Sequence, residues 1–197
     1  MMARVEITDL TVHYRNANTT VHALDNIEFW LKEDESVGIA GESGCGKTTL
    51  GVSIMRKVHG GDIISGKIVL DGENILEMSD SKFDQNIRWK KISMVFQGAM
   101  NALDPVFTIQ QQFKEILKQH SFSGDFNKTI QDTINSVNLD NAVLKKYPHE
   151  LSGGMKQRLV IAMALLLKPK FVIADEPTTA LDVLIQAQII NLLKNLK

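Results

Sequence analysis

The stretch Gly41-Glu42-Ser43-Gly44-Cys45-Gly46-Lys47-Thr48-Thr49 constrains this chain more than any other. It fits G-x-x-x-x-G-K-[ST], the phosphate-binding loop, which works only where a strand runs into it and a helix leaves it. Both flanks carry the required pattern. Val37, Ile39 and Ala40 read as the end of a buried strand, and Leu50, Ile54 and Val58 recur at helical spacing. The residue types follow from the chemistry. Without a Cβ, Gly44 and Gly46 let the backbone fold closely around a phosphate chain with its N–H groups turned inward. The helix that follows adds its positive N-terminal end, Lys47 a mobile cation, and Thr48 a hydroxyl able to ligate Mg²⁺. A glycine-rich turn matching by chance would not bring both flanks with it, so the stretch predicts binding of a nucleoside triphosphate.

A chain of 197 residues, 44% hydrophobic and 23% charged, can bury one good core. Its net charge of −1 gives no general attraction to nucleic acid or to anionic membranes. The single cysteine, Cys45, has no internal disulfide partner, which suits a reducing cytosol. Arg4, Glu6 and Asp9 interrupt any signal-peptide pattern at the N-terminus. The longest apolar run, from Leu159 to Leu167, is ended by Lys168-Pro169 and is far too short to span a bilayer.

Before the loop, Val5/Ile7, Leu10/Val12/Tyr14 and Ile27/Phe29/Leu31 alternate as strands, separated by a polar turn over Arg15 to Thr20. Residues 1–35 are therefore expected to be mainly antiparallel β. Tyr14, at a strand end, is either a rim aromatic or a stacking platform for a base. A strand at Lys67 to Leu70, the turn Asp71-Gly72 and a polar helix-like stretch come next, then a short apolar strand at Ile92 to Phe96 ending at Gln97. In an α/β nucleotide fold, ligand-facing groups gather at such carboxyl ends of strands. Residues 98–150 change character. Ile109/Phe113/Ile116/Leu117 and Ile130/Ile134/Val137 give two amphipathic helices, a small helical insertion.

Leu151-Ser152-Gly153-Gly154-Met155-Lys156-Gln157-Arg158 opens a strongly apolar helix running to Leu167. Ser152 suits an N-cap, and Gly153 and Gly154 leave the helix's positive end open to an anion. Phe171-Val172-Ile173-Ala174 then reads as a buried strand delivering Asp175 and Glu176 at its carboxyl end. With a phosphate loop upstream, Asp175 suits holding Mg²⁺ through water and Glu176 suits polarising an attacking water. After Ala180-Leu181-Asp182, a last helix aligns Ile185/Ile189/Leu192/Leu196 on one face, and the chain stops inside it.

In this order, the phosphate loop, Gln97, Leu151-Ser152-Gly153-Gly154, the Asp175-Glu176 strand and Ala180-Leu181-Asp182 resemble the ATPase subunits of ABC transporters over essentially the whole chain. Finer features resemble the oligopeptide/dipeptide importer branch: Val95-Phe96-Gln97-Gly98-Ala99-Met100-Asn101-Ala102-Leu103-Asp104-Pro105, Tyr147-Pro148-His149-Glu150 and Pro177-Thr178-Thr179-Ala180-Leu181-Asp182. The resemblance implies one α/β domain, a P-loop NTPase core of the ABC cassette type with an N-terminal antiparallel β subdomain and the helical insertion. It implies an ATP- and Mg²⁺-dependent ATPase. Tyr14 would stack on adenine. Gly41, Ser43, Gly44, Cys45, Gly46, Lys47, Thr48 and Thr49 would hold the phosphates, and Thr48, Gln97 and Asp175 would serve the metal. Glu176 would be the general base, with Lys47 and Gln97 in the catalytic set. Ser152, Gly153 and Gly154 would contact the γ-phosphate bound by a second ATPase subunit, identical or homologous, so that two ATPs are sandwiched head to tail. Two transmembrane permease subunits would dock on the helical insertion and the segment after Gln97, at the cytoplasmic face of the membrane, fed by an extracytoplasmic solute-binding protein.

Two departures from the family pattern stand out. Cys45 replaces a common serine at a position that binds through its backbone, so little should change. The family's switch histidine falls one strand beyond the last helix, and none of the five histidines stands there. The chain is thus expected to be a fragment that binds ATP but turns it over slowly, with its Ile185/Ile189/Leu192/Leu196 stripe partly uncovered. The rival readings are an ABC-type ATPase acting on nucleic acid or ribosomes and a nucleotide-binding module with little hydrolysis. Against the first stand the compact insertion, the single cassette and the charge balance, which together predict no nucleic-acid partner.

Overall fold

The computed structural model describes residues 5–195, which divide between Arg88 and Trp89 into two units. In the first, strands β1 (Val5–Arg15), β2 (Thr20–Leu31), β3 (Gly61–Leu70) and β4 (Glu73–Asn74) form an antiparallel sheet in the order β2-β1-β3-β4. The two short strands expected around Ile7 and Leu10 are one strand with a bulge. Buried apolar positions fall at Val5 and Ile7 and then at Leu10 and Val12, a switch from odd to even numbering. The switch occurs at Asp9, whose φ is 50°, and both ladders of β1 lose register between Ile7 and Thr11. Inserting one residue lets both halves of the strand point their apolar side chains to the same face. Across the ladder, Gly66 has a φ of 105°, and a Cβ there would lie 2.6 Å from Leu10 Cα. On the other side, Thr11 Oγ1 accepts from Asn26 N at 3.2 Å.

Two helices complete this unit, α1 (Lys47–Ile54) and α2 (Asp80–Asn86). The helix expected to reach Val58 stops earlier. Arg56 takes a φ of 52°, Lys57 N bonds Val52 O and Arg56 N bonds Ser53 O, which closes the last turn. The Arg56 guanidinium then bonds Ile75 O at 3.1 Å, Met78 O at 2.8 Å and Asp80 Oδ1 at 2.7 Å, and it lies over the Phe83 ring. The expected strand before the phosphate loop is also absent. Residues 36–40 pair with no strand among the described residues, and Val37 and Ile39 stay 53% and 52% exposed. An apolar alternation makes a strand only where a neighbour takes up its N–H and C=O groups.

The second unit pairs two short strands in parallel, β5 (Ile92–Val95) and β6 (Phe171–Ala174). Four helices surround them: α3 (Ile109–Gln119), α4 (Phe126–Ser136), α5 (Gly153–Leu165) and α6 (Val183–Asn195). Both amphipathic patterns of the insertion form helices as expected. Each is capped, α3 by a Thr108–Gln111 box and α4 by Asp125. Phe113, Leu117, Ile130, Ile134, Leu159, Ile161 and Ile189 belong to one buried cluster. Helix α5 ends two residues before the expected Leu167.

One expectation fails here. Strand β6 is not buried: Phe171, Val172 and Ile173 are half-buried and Ala174 exposed, because among the described residues only β5 pairs with it. Of the stripe on α6, expected to be partly uncovered, Ile189 and Leu192 are buried and Ile185 is half-buried, while Leu196 lies outside the described residues. At Gly154 a Cβ would come 3.0 Å from Ile185 Cγ2, so α6 settles closely on α5 there. The large apolar residues of α6 that are exposed include Val183, Leu184 and Ile190. Among the described residues no helix is long and apolar enough to cross a membrane.

Gly66→Ala tests the bulge. It adds a Cβ against backbone at a positive φ, a combination that should cost about 2 kcal/mol or more. A chemical-denaturation midpoint equal to that of the wild type would show the bulge to be soft.

Candidate functional site

The phosphate loop of the first unit is an exposed turn ending in α1. Gly46 occupies the N-cap with a φ of 96°, and a Cβ there would lie 2.5 Å from Ala23 O. Glycine is therefore required twice over, by conformation and by the approach of β2. No side chain caps α1. The first-turn N–H groups of a helix have no acceptor within it, so this end is built to receive one. Lys47 Nζ folds back over the loop, donating to Gly41 O at 2.7 Å and Glu42 O at 2.6 Å, with Cys45 Sγ at 3.6 Å. An ammonium held by two neutral carbonyls can exchange them for anionic oxygens, which bind it more strongly. Gly41, Ser43, Gly44, Cys45 and Thr48 are exposed, and Thr49 is half-buried. Tyr14 is half-buried near the end of β1, opposite Val21 on one side and Gly61 on the other. Its ring covers Gly61, where a Cβ would lie 2.7 Å from Tyr14 Cδ1.

In the second unit, the parallel register sets Val95 beside Ala174, and Asp175 N donates to Val95 O at 2.9 Å. The residues just beyond both strands therefore emerge side by side. Gln97 Nε2 donates to Glu176 Oε2 at 2.7 Å, a bond between residues 79 apart in sequence. Thr179 Oγ1 donates to the same oxygen at 2.9 Å. Glu176 has a φ of 46°, which turns its exposed side chain sharply away from the strand direction. Asp175 is buried, and its Oδ2 has no hydrogen-bond partner among the described residues. A buried carboxylate oxygen without a donor is costly unless a cation or an ordered water completes it.

Ser152 caps α5 as expected, accepting from Met155 N at 3.3 Å, and both Ser152 and Gly153 are exposed. The two glycines have different duties. Gly153 keeps the helix start open, whereas Gly154 makes room for Ile185. The sequence reading passed over two residues, Gln157 and Thr179. Gln157 is buried, and its Nε2 donates to Pro177 O at 2.6 Å, tying α5 to the turn that carries Glu176. An uncharged polar residue inside a helix otherwise rich in buried apolar positions was the signal for it. Thr179 had only its place three residues after a carboxylate.

In the second unit, Gln97 and Asp175 offer oxygen donors of the hard kind that suits Mg²⁺. Among the described residues no group of three or more His, Cys, Asp or Glu could hold a metal. A cation bound by one carboxylate and completed by phosphate oxygens and water matches both facts.

A family model described as ABC transporter matches residues 24–179. The dipeptide transport ATP-binding protein DppD of Escherichia coli (strain K12) is 39% identical over 201 residues, covering 100% of this chain and 61% of that protein. The oligopeptide transport ATP-binding protein AppD of Bacillus subtilis (strain 168) is 38% identical over 202 residues, again covering 100% of this chain and 61% of the relative. The chain thus spans about three fifths of the length of these curated relatives. Among solved structures, the dimeric post-hydrolysis state of the ATP-binding cassette MJ0796 bound to ADP and Pi superposes with a TM-score of 0.82 at 30% identity. That match covers 98% of this chain and 82% of the other.

Gln157→Leu would keep the volume but leave the Pro177 carbonyl without its donor. A loss of about 1–3 kcal/mol is expected in thermal or denaturant unfolding. An unchanged midpoint would mean that the bond does not hold the turn.

Proposed function

This chain belongs to the ABC transporter family, with the α/β fold of its ATPase cassettes, and we propose that it is the ATP-hydrolysing motor part of an importer for oligopeptides or dipeptides. The observation that carries the reading is the Gln97–Glu176 bond beside the unpartnered Asp175 Oδ2. It supplies, at one strand end, a base for a water and a carboxylate for a cation. The names of the relatives, transport ATP-binding proteins for dipeptides and oligopeptides, support the solute class.

The loop residues Gly41 and Ser43 to Thr49 bind the triphosphate through backbone N–H groups and the start of α1. Lys47 releases its two carbonyls to pair with the terminal phosphates, and Tyr14 offers a ring to the adenine. Thr48, Asp175 and the Gln97 amide oxygen are the residues that would hold Mg²⁺. A Mg²⁺ held there would supply positive charge against the charge that develops on the phosphate oxygens. Glu176 accepts the proton of the attacking water, and Gln97 orients the carboxylate that does so. The open helix start at Ser152-Gly153 meets the γ-phosphate of a second, identical or homologous subunit. ATP-dependent pairing then drives two permease subunits at the cytoplasmic face, loaded by an extracytoplasmic solute-binding protein. The dimeric cassette among the solved relatives supports the pairing.

Two substitutions test this reading. Lys47→Ala should weaken MgATP binding about 10- to 100-fold by calorimetric titration, since charge-assisted bonds to phosphate are lost. Unchanged affinity would count against the loop assignment. Glu176→Gln should keep MgATP affinity but lower steady-state turnover about 10²- to 10⁴-fold. It should also accumulate an ATP-bound dimer in light scattering, and equal dimer without nucleotide would contradict the sandwich.

A further inference from the structure

We propose that Thr179 is a positioning residue for the Glu176 carboxylate, an inference that rests on Glu176 being the general base. Its hydroxyl donates to Glu176 Oε2 at 2.9 Å, the oxygen that Gln97 Nε2 also engages at 2.7 Å. Two donors on one oxygen leave Oε1 as the oxygen that neither engages. The carboxylate is thereby fixed in rotation, with Oε1 as the atom able to accept a proton from water. A base works only if its accepting atom lies within hydrogen-bond reach of the proton it removes. An exposed glutamate has three freely rotating side-chain bonds and would otherwise spend little time so aimed.

The two donors are not equivalent. Gln97 reaches Glu176 from beyond a different strand, β5, and its amide also carries the oxygen assigned above to the cation. A rotation of that amide to serve the metal can withdraw Nε2 from the carboxylate. Thr179 stands in the same turn as Glu176, closed by Thr179 N donating to Glu176 O at 3.1 Å. Its hold is local and does not depend on where Gln97 turns. The β-branched side chain stiffens this donor, because threonine has few χ1 choices. Thr179 is exposed and belongs to no buried cluster, so packing gives no other reason for a hydroxyl there.

The test compares Thr179→Val, Thr179→Ser and Glu176→Gln with the wild-type protein, by steady-state ATPase rate and by MgATP affinity. Valine keeps the shape and removes the donor, and serine keeps the donor and removes the methyl group. Thr179→Val is expected to lower kcat about tenfold or more, as one lost orienting contact can, while MgATP affinity stays within about twofold of the wild type. Thr179→Ser should recover most of the rate. On the Glu176→Gln background, Thr179→Val should add no further loss, because the two residues act as one unit. A wild-type kcat for Thr179→Val, a failure of serine to rescue, or an additive loss in the double variant would overturn the proposal while leaving Glu176 as the base. A wild-type rate for Glu176→Gln itself would remove the base assignment, and the positioning role with it.

Discussion

The second unit depends on the register of two four-residue strands. Once Val95 lies beside Ala174, the next residues of both strands have no freedom to diverge, and Asp175 N bonding Val95 O extends the pairing by one more step. The amide of Gln97 and the carboxylate of Glu176 meet because of that alignment, although 79 residues separate them. A slip of one residue would turn Asp175 outward and move Glu176 about 3.3 Å along the strand direction. So short a ladder cannot hold its register alone. The surrounding helices hold it, through the buried cluster that includes Val95, Phe113, Leu159 and Ile189, and through Gln157 bonding the carbonyl of Pro177. The apolar packing of the insertion and the geometry of the carboxylates are one construction.

The phosphate loop rests on a different kind of constraint. Its position is set by the contact between Gly46 and the carbonyl of Ala23, which brings the start of α1 against β2 with no side chain between them. Lys47 then has a short choice of acceptors, and it takes the carbonyls of Gly41 and Glu42. The loop holds its cation close to the place of use through neutral groups that compete weakly with an anion.

Much of this was legible in the sequence. The phosphate loop, the capped helices α3, α4 and α5, and the carboxylates at the end of β6 follow from spacing and residue type, because those properties are local. The bulge in β1 was also written there, as the change from Val5/Ile7 to Leu10/Val12, but it reads as two strands until the ladders on either side are seen. What the sequence could not show depends on neighbours. Val37 and Ile39 have a strand's alternation without a strand's partner. Strand β6 has a buried strand's composition, yet among the described residues it pairs on one side only, and α6 lies close on α5 where Gly154 admits Ile185. Arg56 ends α1 short of Val58 through acceptors at Ile75, Met78 and Asp80, about twenty residues away in the chain. Thr179 escaped notice because a threonine in a turn is ordinary until its donor is seen to point at a carboxylate.

The bulge at Asp9 also bears on how the sheet comes together. Strand β1 meets β2 through the short turn of residues 16–19, but it meets β3 only after a detour that includes the phosphate loop and α1. The entropy of closing a loop favours the short connection, so the β1–β2 hairpin has the head start. A plain alternating hairpin could zip up one residue out of step and lose little until its third strand arrived. Here an out-of-step hairpin would separate Thr11 from Asn26 at once, and the bulge would fall where Gly66 could not receive it. The irregularity thus penalises a misaligned hairpin twice, at Asn26 within the hairpin and at Gly66 when the third strand pairs.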